Sequence, residues 1–224
     1  MRIRKLALAL TLALAPVFVA SSGSADAPRW ERVTESGGVT VFKQEVEGSP
    51  VIAFKGIGVV NAPIARVAAV VTDSNRTPEW MDSVADAHIV RQVSPFERIV
   101  YTHLKSPPLI ADRDFVTAAK AEFDRANKRV IIRIHSVADA SAPPTSHVRG
   151  QILHSSFVLT SVEGGQKTLV VTEIHADPKG SLPTWVVNLF QKDWPVKTIR
   201  NLRAQCAKGD IKEAPALAAQ VAGF

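Results

Sequence analysis

Through most of this chain apolar residues alternate with polar ones. Near the end the spacing changes to three and four. Alternation marks strands with one buried face, and the longer spacing marks a helix. Residues 39–46 and 51–60 read as two strands, with Glu47-Gly48-Ser49-Pro50 as the hairpin turn. Asn61-Ala62-Pro63 then opens a helix over 64–71, and a second short helix is predicted over 78–84. Strand patterns resume at 88–93, 98–105, 114–123, 128–137, 148–162 and 167–176. Arg125-Ala126-Asn127 and Glu163-Gly164-Gly165 supply tight turns, so the strands are expected to pair mainly antiparallel. Residues 141–146, with Pro143-Pro144, read as an exposed loop.

The stretch from Asp177 to Asn188 joins the last strand to the last helix. Asp177-Pro178-Lys179-Gly180 is a polar turn, and Ser181 precedes Leu182 and Pro183 as an N-cap precedes a first turn containing proline. The helix is predicted over 182–206. Leu182, Trp185, Val186, Leu189, Val196 and Ile199 form its apolar stripe. Pro195 removes one backbone hydrogen bond inside it, at a cost of roughly 3 kcal/mol, so a kink is expected near Gln191. The resulting fold class is α+β, a curved antiparallel sheet gripping one long C-terminal helix.

Composition changes the picture at the N-terminus. Arg2, Arg4 and Lys5 precede an apolar run over 6–20, followed by small polar residues, which reads as a secretory signal peptide over 1–25. Export to a periplasm-like compartment is expected. The next segment, 26–208, is long enough for one domain with its own core, and 209–224 reads as a tail. The formal charge of +6 includes those three leader cations, so the remainder carries 27 − 3 − 21 = +3. Nucleic-acid binding thus has little compositional support. Cys206 is the single cysteine and reads as a small packed hydrophobe, since it has no partner within the chain.

The strand 114–123 places Phe115, Thr117, Ala119, Ala121 and Phe123 on one face, with Lys120 and Glu122 on the other. Small side chains in the middle of that face leave room for a ligand. Arg149, Glu173 and His175 lie on the last two long strands as candidate polar contacts, provided their faces point inward. Trp185 and Leu189 would approach the same space from the helix. Leu109 and Ile110 lie in the loop before strand 114–123, and Phe190 and Trp194 lie one turn apart away from the main helical stripe, so these four are candidates for exposed apolar positions.

Five segments occur in an order that resembles the START (StAR-related lipid-transfer) family. They are Trp30-Glu31, Asp73 with Trp80, Ser106-Pro107-Pro108 followed by Arg113-Asp114-Phe115-Val116, Val148-Arg149-Gly150, and the junction 177–188. The resemblance spans residues 30–205 and implies a lipid or sterol-like ligand in a tunnel between sheet and C-terminal helix. It also implies transient membrane contact and no cofactor, and the chain is expected to be monomeric. Two polar anchors of the family are missing. Phosphatidylcholine carriers place an Arg and an Asp around the matching Trp, where this chain has Thr77 and Met81. Arg76 and Asp82 are one residue off, a rotation of about 100° on a helix. Sterol-binding members pair an Arg with an acid at the positions matching Ala119 and Leu104. A largely apolar cavity and a ligand with a weakly charged polar end are therefore expected.

Enzyme chemistry has less support. The chain has no Gly-x-Ser-x-Gly and no His-Glu-x-x-His. The alternatives are a helix-grip enzyme of cyclase or hydrolase type, with Glu173 and His175 as its acid–base pair, or a lipid sensor without transfer.

Overall fold

The computed structural model describes residues 29–224, so the leader expected over 1–25 lies outside it. The strands are β1 (Glu31–Ser36), β2 (Val39–Gln44), β3 (Ala53–Val60), β4 (Val84–Ser94), β5 (Glu97–Leu104) and β6 (Arg113–Asp124). They continue with β7 (Arg129–Ser136), β8 (Val148–Arg149), β9 (Gln151–Val162) and β10 (Lys167–Asp177). The helices are α1 (Ile64–Thr72), α2 (Thr184–Cys206) and α3 (Pro215–Val221). One sheet holds all the strands in the order β1-β2-β3-β10-β9-β7-β6-β5-β4. Those neighbours are antiparallel, while β8 adds to β6 in parallel. Tight turns set this pattern. Gly37 and Gly38, at φ 57° and 66°, close the β1–β2 hairpin with the left-handed backbone such a turn requires.

The core lies between one face of the sheet and the helices. Val39, Val41, Phe54, Phe157, Leu159 and Val170 meet Ile199 and Leu202 of α2 and Val67 of α1. Each such side chain contributes about 1.5–3 kcal/mol by leaving water. Helix α2 packs on β2, β3, β10 and α1. Pro195 is buried against the sheet at Gly56, where an added Cβ would lie 2.6 Å from the proline Cβ. The proline thus sits where the helix presses closest on the strand. The other face of the sheet carries a smaller apolar cluster of Ile99, Val116 and Ala118, covered by Ala142 from the β7–β8 loop.

Several elements differ from the sequence reading. β1 escaped notice because it is polar on both faces and mostly exposed, so it shows no alternation. The short helix expected over 78–84 is a 3-10 turn over Ser74–Glu79. Ser83, at φ 66°, cannot continue a helix into β4. The strand expected over 148–162 is interrupted at Gly150, where a side chain would have no room, an added Cβ lying 2.4 Å from the Phe115 ring. The segment after 208 includes α3, whose Leu217 and Val221 are buried in the main core. The stripe on α2 also moves. Pro195, Ile199, Leu202 and Cys206 are buried, whereas Trp185 and Leu189 are 70% and 55% exposed. In the first half of the helix Val187 is buried and Trp194 packs on the core, while Trp185, Leu189 and Phe190 stay exposed. Among the described residues no helix is long and apolar enough to cross a membrane.

Candidate functional site

Strand register assigns the inward face of the far half of the sheet. Ala121 and Phe123 pair with Ile132 and Val130 of the core, so Phe115, Thr117 and Ala119 share their face. Across β5 the same face carries Leu104, Thr102, Val100 and Arg98. This half lies away from the strands on which α2 packs. Ala119, Thr102 and Leu104 are only partly buried there and belong to neither apolar cluster. Small and apolar side chains thus form an inward wall that neither apolar cluster covers.

The predicted site residues divide into three groups. Leu104, Phe115, Thr117 and Ala119 share the inward wall, while Ala121 on the same face is buried in the main core. Trp185 and Leu189 stand exposed on α2, together with Phe190. Leu109, at the tip of the β5–β6 loop, is fully exposed. Arg149, Glu173 and His175 are not brought to that wall. The core-facing residues of β10 are Val170, Thr172 and Ile174, which turns Glu173 and His175 to the opposite face.

Each of those polar residues is held elsewhere. Glu173 pairs with Lys55 at 3.0 Å and His154 at 3.4 Å. The His154 contact lowers its carboxyl pKa, burial opposes this, and Lys55 adds to the lowering. His175 is buried beneath the β2–β3 loop, with Nε2 3.0 Å from Ser49 Oγ and 3.1 Å from the Val51 carbonyl. Burial pushes its pKa below 6.5, and the Val51 hydrogen bond works the other way. Arg149 donates to both oxygens of the buried Asp114 at 2.6 and 3.1 Å, and Thr145 Oγ1 donates to one of them. Burial pushes the Asp114 carboxyl up, but these bonds outweigh it and hold it below its usual value. Arg113 is likewise structural, reaching the carbonyls of Ala111, Pro178 and Lys179.

Met81 lies at a different opening. It lines a cleft of about 350 Å³ between residues 78–84 and the C-terminal end of α2, and it packs on the main core. The cleft wall is polar, with Glu79 bonded to Arg76, Gln205 and Lys208. Arg76 also binds Asp210 at 2.9 Å, and Asp82 accepts from Asn201 at 2.7 Å. The two charges closest in sequence to the missing phosphatidylcholine anchors are therefore engaged at the surface.

Two polar groups on β5 and α2 carried no sequence signal. Arg98 is inward by register, opposite Ala119, and its Nη1 donates to the Thr72 carbonyl at 2.6 Å at the end of α1. Burial lowers its pKa, against the pull of Asp73. Gln191 of α2 donates to the Ala176 carbonyl at 2.7 Å, and its Oε1 is buried without a hydrogen-bond partner. Neither residue belongs to a motif. Arg98 is marked only by its register against Ala119, which requires the strand pairing to be known.

Comparison with known proteins agrees with this architecture. Residues 18–209 match the START domain family. The chain is a START-domain protein. It is 28% identical to the Pseudomonas aeruginosa protein named "Uncharacterized protein PA1579", over 90% of this chain and 98% of the relative. It is 23% identical to the bovine phosphatidylcholine transfer protein, over 79% of this chain and 84% of that one. A crystal structure described as a STAR-related lipid transfer protein from Xanthomonas axonopodis superposes with a TM-score of 0.70 at 26% identity. That match covers 80% of this chain and 99% of the other. The curved sheet closed by a C-terminal helix is the START helix-grip fold.

Proposed function

We propose that this START domain binds one lipid non-covalently between α2 and the inward face of β4–β7, in a groove that opens to receive it, and carries it between membranes. The observation that supports this is the divided sheet. One half is packed under α2, and the other presents Leu104, Thr102 and Ala119 incompletely covered. An acyl chain or ring system laid there gains about 0.8 kcal/mol for each methylene removed from water. The polar end of the ligand meets few charges. Gln191 Oε1 is a free acceptor suited to a hydroxyl, and Arg98 is already held by a backbone carbonyl. A sterol or a diacylglycerol-like lipid fits this better than phosphatidylcholine. Trp185, Leu189, Phe190 and Leu109 form the surface that touches the membrane, and the protein acts as a monomer exported to the periplasm.

Catalysis has no place in this reading. The only acid–base pair the sequence offered lies on the outer face, with Glu173 bound to Lys55 and His175 turned to the β2–β3 loop. Solvent extraction and native mass spectrometry of the purified protein are expected to recover one lipid per chain. The Gln191→Leu variant is expected to bind hydroxyl-bearing lipids about 10-fold more weakly, the effect of roughly one lost hydrogen bond. Stoichiometric phosphatidylcholine with its headgroup buried would overturn the assignment of the polar end. Movement of labelled lipid between vesicles distinguishes a carrier from a sensor, which would bind without moving it.

A further inference from the structure

The outer face holds a second chemical constellation, remote in role from the groove. His103 at the end of β5, Asp112 just before β6 and His147 in the β7–β8 loop each offer a ligand atom, all within 4.8 Å of one another. His103 Nε2 is 2.8 Å from Asp112 Oδ2. The two imidazoles are stacked, with centroids 4.2 Å apart and planes within 9°. The other carboxylate oxygen, Asp112 Oδ1, accepts from the Ser106 backbone N–H at 2.8 Å. One oxygen is thus oriented by the backbone while the other faces the histidines, as a second shell orients a metal ligand. The neighbouring Asp114 is not available, being saturated by Arg149 and Thr145.

We propose that His103, Asp112 and His147 bind a divalent transition-metal ion of the Zn²⁺ type. Two imidazoles and one carboxylate suit zinc, whereas calcium and magnesium prefer oxygen alone. Zinc holds such ligands at about 2.0–2.2 Å, so their atoms lie roughly 3.4 Å apart around it. Reaching that spacing requires the stacked rings to turn their edges inward. Both histidines are only partly buried, which leaves them that freedom. The fourth position stays open to solvent. The ion would tie together the end of β5, the β5–β6 loop and the β7–β8 loop. It would brace residues 105–112, whose tip is the fully exposed Leu109. The site does not depend on the lipid assignment.

The probe is Zn²⁺ itself, titrated by calorimetry and chelator competition into purified, chelator-treated protein. One ion per chain is expected. His103→Ala and His147→Ala should each weaken binding about 100-fold, since even supporting groups around metal ligands are worth 10–100-fold. His154→Ala, on a ligand-free part of the surface, should bind like the wild type. Unfolding midpoints of all variants report whether they remain folded. Hydrogen exchange of residues 105–112 should slow when zinc is added. The proposal fails if the wild type takes up no stoichiometric ion, or if folded His147→Ala binds within about twofold of it. Binding without protection of 105–112 would overturn the bracing role.

Discussion

Single residues in this protein show how burial decides the part a polar group plays. His175 has its pKa pushed below 6.5 by burial, against its hydrogen bond to Val51. As pH falls the unfolded chain takes up that proton first. The stability His175 contributes is therefore complete above about pH 6.5 and is lost as pH falls through the folded-state value. Urea unfolding midpoints measured between pH 7.5 and pH 5 should fall, and the slope should flatten in His175→Gln. Asp114 presents the opposite case, a fully buried carboxylate kept charged by Arg149 and Thr145. Arg149→Ala strands that charge and should cost about 3 kcal/mol in chemical unfolding, the low end for a buried pair because Arg149 is partly exposed. Cys206 behaves as its composition implied. It is buried, and desolvation pushes its thiol pKa up to about 12, which leaves it inert.

At the scale of elements, the contact between α2 and the sheet rests on an absent side chain. Gly56 lets Pro195 approach the strand, and Gly58 does the same for Ile199, whose Cγ2 would stand 3.1 Å from an added Cβ. Gly56→Val should push α2 away and cost about 1–3 kcal/mol, read as a lower unfolding midpoint. The predicted kink at Pro195 concerned the helix alone, whereas the structure joins that proline to a glycine 139 positions earlier in the chain (195 − 56). α3 offers a second test. Leu217 and Val221 are buried in the main core, so a chain ending at residue 211 should be less stable by about 2–5 kcal/mol. Its stability should be unchanged if those residues are only a tail.

The whole molecule combines a half of the sheet packed under α2 with a half less covered, and the proposed lipid carriage requires both. A bound lipid at 100 times its dissociation constant should raise stability by about 2.7 kcal/mol, measurable as a shift in melting temperature. Replacing Trp185, Phe190 and Leu109 together with Ser should reduce vesicle binding and transfer while leaving that ligand-induced shift intact. An unchanged vesicle affinity would place the membrane contact elsewhere. Most of the strands, the closing helix and the family were legible from alternation, spacing and motif order, because each is written in neighbouring residues. That Phe115, Thr117 and Ala119 share one face was legible for the same reason, since alternation along one strand is local. β1 and α3 were not, because one is polar on both faces and the other takes its stability from the core it joins. The orientation of Glu173 and His175, the inward position of Arg98, the free acceptor on Gln191 and the meeting of His103 with Asp112 and His147 also required the tertiary structure. The chain alone determined that a sheet would be gripped by a helix. Only the folded register decided which faces point inward, because pairing between strands distant in sequence depends on contacts that no local pattern records.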